Sequence, residues 1–203
     1  MLYSFAVKIC FFIFKYLCKW KVEGVENFPK EGSAIIVANH VSYWDAVVLA
    51  VAVPRRVYFM GHSGLFKIPV FAQIIKNLGA FPVDRNKSDR AALRAAMEIL
   101  NRGDVMGIFP EGTRIRDGRI LGEFKMGAAM IASKTDAPLV PVALINTPNI
   151  FSRGFFRSFK VVIKEPVYIT KEENQKVTSQ QLQEVSNDIR VQILTILQDS
   201  KDF

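Results

Sequence analysis

The chain has 203 residues, which suits one good-sized core and leaves little room for a second independent domain. Half of the residues are hydrophobic and the mean hydropathy is +0.16, a value that excludes a protein with many membrane spans but is high for one that never meets lipid. The net charge of +8 indicates an anionic partner, which could be nucleic acid, an anionic membrane surface or a phosphorylated substrate.

The first twenty residues are mostly apolar and are interrupted by Lys8, Lys15 and Lys19. On a helix these lysines fall in one narrow stripe opposite a wide apolar face, a pattern typical of a helix at the membrane interface. The lysines exclude a spanning helix and the segment lacks the layout of a cleaved signal, so a core helix is the remaining alternative. We predict a membrane-interface helix over residues 1–22 and one folded domain over residues 23–203.

The two cysteines, Cys10 and Cys18, lie on this predicted helix about 12 Å apart, which is beyond the reach of a disulfide and consistent with a reducing compartment. No CxxC or HExxH spacing occurs, and His40, His62 and the scattered acids do not form a metal-ligand pattern. We therefore expect no metal site, and a metal-dependent hydrolase is disfavoured.

The rest of the chain alternates between predicted strands and predicted helices. The strands fall within residues 33–40, 56–61, 80–83, 104–110, 138–145 and 160–167. The helices cover residues 45–53, 69–79, 89–103, 124–135 and 179–198. Ser88 and Thr178 are predicted N-caps, and Thr178 forms a capping box with Gln181. This alternation predicts an α/β fold in which helices flank a layered, mainly parallel sheet.

The stretch NHVSYWDA places His40 and Asp45 five residues apart, directly after a predicted strand. An imidazole can take a proton near neutral pH, and a carboxylate bonded to its other nitrogen fixes the tautomer and stabilises the imidazolium. A turn into the next helix would bring the two side chains together, with Ser42 capping that helix and Asn39 bonding the loop backbone. The alternative is a loop histidine beside an acid that merely favours the first turn of a helix.

Two arginines follow predicted strands in the stretches FPVDR and FPEGTR. Gly112 frees the backbone for a tight turn, and Arg114 leaves that turn with a guanidinium that can bind an anion through two hydrogen bonds. Either Arg85 or Arg114 alone could be a solvated surface charge. Together, in a basic chain, they predict a phosphate site.

At these residues the sequence resembles the glycerophospholipid acyltransferase family, which includes the bacterial 1-acylglycerol-3-phosphate acyltransferases. The four stretches that carry the resemblance are NHVSYWD, FPVDR, FPEGTR and APLVPVAL, in family order over residues 39–143. The resemblance implies that His40 and Asp45 form the catalytic pair and that residues 23–203 are an acyltransferase domain. It also implies an acceptor-phosphate site formed by Arg85, Glu111, Gly112, Thr113 and Arg114, with Asn39, Ser42 and Pro141 supporting the site.

The implied reaction moves an acyl group from acyl-CoA or acyl carrier protein to the sn-2 hydroxyl of 1-acylglycerol 3-phosphate, without a cofactor. Glycerol 3-phosphate or another lysophospholipid is the alternative acceptor. A non-catalytic module that binds lipid or nucleic acid would explain the charge but not the histidine and aspartate pair, so no nucleic-acid partner is expected. The lysines of the N-terminal segment fit a peripheral or monotopic protein on the cytoplasmic face of the cell membrane, in contact with phospholipid.

Overall fold

The structure, a computed structural model, describes residues 2–84, 89–151, 156–170 and 177–200. Seven strands form one sheet: β1 (Lys21–Glu23), β2 (Ala34–Ala38), β3 (Val57–His62), β4 (Ala80–Val83), β5 (Val105–Ile108), β6 (Leu139–Ile145) and β7 (Lys160–Ile163). The helices are α1 (Leu2–Phe12), α2 (Asp45–Ala52), α3 (Pro69–Asn77), α4 (Arg90–Asn101), α5 (Gly127–Thr135) and α6 (Ser179–Asp199).

The strand order is β1-β7-β6-β2-β5-β3-β4, and every neighbouring pair is parallel except β6 and β7. The predicted α/β fold with a mainly parallel sheet is therefore confirmed. Right-handed crossovers place α2 and α3 on one face of the sheet and α4 and α5 on the other. The buried residues form two clusters accordingly, one under α1 and α2 and one under α4, α5 and α6.

The central strands are hydrophobic throughout because both of their faces are covered. All five residues of β2 and all seven of β6 are buried. Gly107 in β5 gives the ring of Phe59 the space that a Cβ would occupy, so this ring lies over β5. The buried central strands thus support the loops at the carboxyl edge of the sheet.

The N-terminal helix differs in part from its prediction. α1 continues as a single π-helical turn, Ile13–Leu17, and Lys19 lies beyond its end with a positive φ of 48°. Lys19 is therefore not part of a helical lysine stripe. Phe14 is buried against Phe159, so one side of the segment packs on the domain while the other side remains exposed.

Strand β1 and the N-termini of α4 and α6 can each be compared with the sequence-based prediction. β1 was not predicted; it pairs with β7 and includes the predicted boundary between residues 22 and 23. The predicted capping box of α6 is confirmed, because Thr178 Oγ1 accepts from the N–H of Gln181 and the side chain of Gln181 accepts from the N–H of Thr178. α4 is capped by Asp89, whose Oδ1 accepts from two backbone N–H groups, whereas Ser88 lies outside the described residues.

Candidate active site

The predicted site lies at the carboxyl edge of the sheet, where the loops after β2 and β5 leave neighbouring strands. The chain from β2 leads to α2 on one face, and the chain from β5 leads to α5 on the other face. The two loops separate at this position and leave a crevice, which is where open parallel sheets bind ligands. Residues 39–45 and 109–116 form its two sides.

His40 and Asp45 are in direct contact, at 2.8 Å between Nδ1 and Oδ2. The carboxylate is 0% exposed and accepts three further hydrogen bonds: Oδ2 accepts from the N–H groups of Val41 and Ser42, and Oδ1 accepts from Thr147 Oγ1 at 2.6 Å. Three donors other than His40 thus converge on Asp45, which indicates a carboxylate that accepts from His40 as well. His40 Nδ1 then carries the proton, and Nε2 is the nitrogen left with a free lone pair.

The imidazole of His40 is held in place by stacking. Its ring lies 4.1 Å from that of Phe109, with 15° between the planes, and Phe109 in turn stacks on Phe59. The side chain of His40 retains 14% exposure. An oriented ring with an accessible basic nitrogen can remove a proton from a bound hydroxyl group.

Asn39 and Ser42 support this loop, but through contacts other than the predicted ones. The amide of Asn39 exchanges two hydrogen bonds with the backbone of Leu144 in β6, at 2.9 and 2.7 Å, instead of bonding its own loop. Ser42 Oγ accepts from the N–H of Trp44, the residue before α2, and so stabilises the turn without capping the helix.

Glu111 has a position that the resemblance did not suggest. Its carboxylate is buried, with Oε2 accepting from the N–H of His40 at 2.7 Å and Oε1 accepting from the N–H of Gly122 at 2.9 Å. Burial raises the pKa of Glu111, and these two hydrogen bonds partly oppose the increase. Glu111 therefore ties the loop after β5 to the backbone of His40, and its contacts are with protein groups.

The turn after β5 requires a glycine. Gly112 has a φ of 74°, which side chains disfavour, and its N–H donates to the carbonyl of Phe109. Thr113 follows on the exposed side of the loop. The N–H of Ile115 then donates to the carbonyl of His40 at 2.9 Å, so the two sides of the crevice are joined again.

Arg114 lies at the mouth of the crevice with its guanidinium stacked on an exposed aromatic ring. Its Cζ is 3.2 Å from the ring centroid of Tyr43, and hydrogen bonding and charge from Arg114, with a smaller effect from Arg116, lower the pKa of the Tyr43 hydroxyl. Within the described residues, neither arginine has a carboxylate partner. Arg119 of the same loop, in contrast, is paired with Asp117 at 2.7 Å. Arg114 and Arg116 are thus available to an anion.

The two other predicted site residues are Arg85 and Pro141. Arg85 lies outside the described residues. Pro141 is buried in β6, directly beside Val37 of β2, three residues before His40. It packs below the loop that carries His40, as a supporting residue would.

Three residues at the site were not singled out from the sequence. Thr147 supplies the only Oδ1 partner of Asp45 among the described residues, Phe109 stacks on His40, and Tyr43 stacks on Arg114. Phe109 and Tyr43 lie inside the quoted stretches FPEGTR and NHVSYWD. Thr147 follows β6, a strand parallel to β2, so its position at the same edge of the sheet was a usable signal.

A cleft of about 440 Å³ extends from the site between the sheet and helices α4 and α5. Its lining is mainly apolar and includes Met60, Leu93, Ile108, Phe109 and Met130, with Gly112 and Lys125 at the loop after β5. In the part of the chain that the structure describes, no group of three or more His, Cys, Asp and Glu side chains could hold a metal ion.

Comparisons with known proteins identify the family of the chain. Residues 19–145 match the sequence profile of the family described as Acyltransferase. The chain is 35% identical over 161 residues to the chloroplast 1-acyl-sn-glycerol-3-phosphate acyltransferase BAT2 of Brassica napus, covering 75% of this chain and 46% of that protein. It is 32% identical over 152 residues to the 1-acyl-sn-glycerol-3-phosphate acyltransferase of Bacillus subtilis, covering 73% of each.

A solved structure has the same fold. The crystal structure of the 1-acyl-sn-glycerophosphate acyltransferase PlsC from Thermotoga maritima superposes with a TM-score of 0.71 at 30% identity, covering 97% of this chain and 78% of that one. The chain spans less than half the length of the plant relative but most of the bacterial ones named here. The resemblance drawn from the four sequence stretches is thus confirmed, and the chain belongs to the acyltransferase family.

Proposed function

We propose that the protein is a 1-acylglycerol-3-phosphate O-acyltransferase, which moves a fatty acyl group from a thioester donor to the sn-2 hydroxyl of its acceptor and forms phosphatidic acid. The observation that carries the proposal is the contact between His40 and Asp45 in a crevice whose mouth holds Arg114 and Arg116, neither of which has a carboxylate partner among the described residues. The named activity of the bacterial and plant relatives supports the same reaction.

His40 is the proposed general base. A glycerol hydroxyl is almost fully protonated at neutral pH, so its attack on a thioester requires removal of its proton as the C–O bond forms. His40 Nε2 takes that proton, and Asp45 offsets the positive charge that develops on the ring. When the tetrahedral intermediate collapses, the C–S bond breaks and the proton passes from His40 to the departing thiolate. Acyl-CoA and acyl carrier protein both supply such a thioester, and no cofactor is required.

The phosphate of the acceptor is the proposed group by which the protein positions the reacting hydroxyl. Arg114, with the predicted help of Arg85, binds this phosphate and holds the hydroxyl next to His40, so that binding energy from a non-reacting group lowers the entropic cost of attack. Gly112 and Thr113 form the turn that presents Arg114. Glu111 acts as a positioning residue through the backbone of His40. The apolar cleft beside Phe109 suits an acyl chain.

Acyl transfer can be tested directly with the purified protein. Release of free thiol from oleoyl-CoA and from oleoyl-acyl carrier protein is measured with 1-acylglycerol 3-phosphate, glycerol 3-phosphate and lysophosphatidylcholine as acceptors. We expect release with 1-acylglycerol 3-phosphate, and phosphatidic acid as the product by mass spectrometry. Preference for either of the other acceptors would replace the proposed substrate, and no release with any acceptor and donor would refute an acyltransferase.

Replacing Arg114 by alanine is expected to raise the KM for the phosphorylated acceptor about tenfold or more while changing kcat less. The reason is that a charge-assisted pair with phosphate contributes about 1.5–3 kcal/mol to binding. Arg119→Ala is the matched control, because Arg119 belongs to the same loop but is already paired with Asp117. Equal KM values for the two variants would indicate that the acceptor phosphate binds at another site.

The N-terminal segment, residues 1–22, is the proposed membrane-interface segment of a peripheral or monotopic protein, with α1 and its π-helical turn as the part that meets lipid. Residues 23–203 are the proposed acyltransferase domain. The apolar side chains that α1 and its π-helical turn expose are Leu2, Phe5, Ile9, Phe11, Phe12, Tyr16 and Leu17. Lys8 and Lys15 can reach anionic headgroups from this segment. Across the described ranges, none of the helices combines the length and hydrophobicity that crossing a bilayer requires. The cytoplasmic leaflet, which carries anionic lipid, is the proposed location.

A further inference from the structure

Acidic residues are distributed very unevenly between the two faces of the sheet. The sequence has no aspartate or glutamate from position 1 to 22 or from 46 to 83, and these two ranges carry eight lysines and arginines: Lys8, Lys15, Lys19, Lys21, Arg55, Arg56, Lys67 and Lys76. They contain α1, α3 and all of α2 except Asp45, whose carboxylate is buried at the site. The helices on the opposite face carry Glu98, Glu184, Asp188 and Asp199. Among the described residues, the helices on one face of the sheet therefore carry exposed charges of positive sign only.

Helix α3 and the turn before it expose a second group of large apolar side chains on that face. We call this group the α3 patch; its members are Leu65, Ile68, Val70, Phe71 and Ile74. Val70 is 75% exposed, and only Ala72 of α3 is buried. In the sequence Lys67 lies within the patch, between Leu65 and Ile68, and Lys76 lies just beyond Ile74. An apolar patch accompanied by lysines is the composition that an anionic bilayer surface binds.

A cationic cleft lies between α1 and the turn that follows α2, and one of its arginines reaches the end of α3. Arg56 donates to the carbonyl of Asn77 at the end of α3, and its guanidinium lies 5.0 Å from the ring centroid of Tyr3 in α1. The cleft, of about 420 Å³, is bordered by the cations Lys8, Arg55 and Arg56, and the described residues around it include no acid. The guanidinium of Arg55 donates to the carbonyls of Gly32 and Gly103, so Lys8 and Arg56 are the cations that face the cleft. Lys8 and Arg56 thus border a space beside α1 that suits a headgroup phosphate, and Arg56 joins this space to the end of α3.

We propose that the α3 patch is a second bilayer-docking surface, which binds anionic phospholipid together with α1. The inference extends the proposed function, since the lipid acceptor must enter the crevice from a membrane. The turn Ser63–Lys67, which begins the patch, follows β3 at the same edge of the sheet as His40. Two contacts instead of one would fix the tilt of the protein and bring this edge against the leaflet.

The test compares two valine substitutions in the whole chain, Val70→Glu on α3 and Val191→Glu on α6. Both residues are exposed on helices, at 75% and 56%, and both changes add one negative charge, but they lie on opposite faces of the sheet. Binding is measured by co-sedimentation with vesicles of equal parts phosphatidylcholine and phosphatidylglycerol. We expect Val70→Glu to weaken binding about tenfold, the effect of losing one buried apolar side chain, and Val191→Glu to leave it unchanged.

Further measurements separate folding and catalysis from docking. Circular dichroism checks the fold, and Val70→Ser, which removes the apolar contact without adding charge, should still weaken binding severalfold. Val70→Glu should retain acyl transfer to a water-soluble short-chain acceptor and lose it towards vesicle-borne acceptor. Absence of acyl transfer in every variant would refute the proposed function but leave the vesicle measurement valid. Equal binding by all folded variants, or equal binding to pure phosphatidylcholine vesicles, would overturn the α3 patch as an anionic-lipid surface.

Discussion

Replacing His40 by alanine is expected to lower kcat for acyl transfer by about 10²–10⁴-fold, the contribution of a positioned general base. The ring of His40 lies between the carboxylate of Asp45 and the ring of Phe109, and its Nε2 is the basic nitrogen left free by these contacts. Alanine leaves no group in this position to take the proton of the acceptor hydroxyl. The KM for the acceptor should change little, because Arg114 and its loop remain. Thiol release from oleoyl-CoA, measured over a range of acceptor concentrations, gives both constants.

The other histidine provides the matched control. His62 lies at the end of β3 on the same edge of the sheet, and its Nδ1 accepts only from the N–H of Gly64 among the described residues. His62→Ala should therefore retain kcat within severalfold of the unmodified protein. If His40→Ala also retained its kcat while remaining folded, His40 could not be the general base. An equal loss in both variants would indicate a shared structural effect instead.

Features that depend on neighbouring residues in the sequence could be predicted. The contact between His40 and Asp45 spans five residues, and the capping box of α6 spans three. The fold class was also accessible, because β2 and β6 are continuous hydrophobic runs and such runs indicate strands buried on both faces. Each of these signals is local, so one short stretch of sequence is enough to contain it.

Features that depend on the packing of distant segments could not be predicted. β1 has three residues, only one of them apolar, and it exists because β7 offers a free edge. The contacts of Asn39 with Leu144 and of Asp45 with Thr147 join residues more than 100 positions apart, so the parallel strands could place Thr147 at this edge of the sheet but could not show its contact with Asp45. Glu111 was assigned to the acceptor from its motif, whereas its observed partners are backbone groups of two loops. The residue type indicated what each side chain can do chemically, whereas its hydrogen-bond partners depended on the fold.

Replacing Asp45 by asparagine should lower kcat by roughly 10²–10³-fold with little change in the KM for the acceptor. Both Oδ atoms of Asp45 accept hydrogen bonds, from His40, Val41, Ser42 and Thr147. Asparagine has one acceptor oxygen and one NH₂ group, so its amide must face at least one of these groups with a donor. If the amide donates to His40 Nδ1, the proton moves to Nε2 and the base is blocked. If it faces Thr147 instead, the tautomer is kept but the negative charge that stabilises the imidazolium is lost.

The same substitution has a structural cost that must be separated from catalysis. Mismatched donors in a buried site destabilise a protein by about 1–3 kcal/mol, so the free energy of unfolding in urea should fall by this amount. Thr147→Val is the matched control, because it removes one donor from Asp45 but leaves the carboxylate and its contact with His40. It should show a comparable loss of stability with a much smaller loss of kcat. If both variants lost kcat equally, Asp45 would act only by holding the loop, since the charge beside the imidazole is retained in one variant and absent from the other.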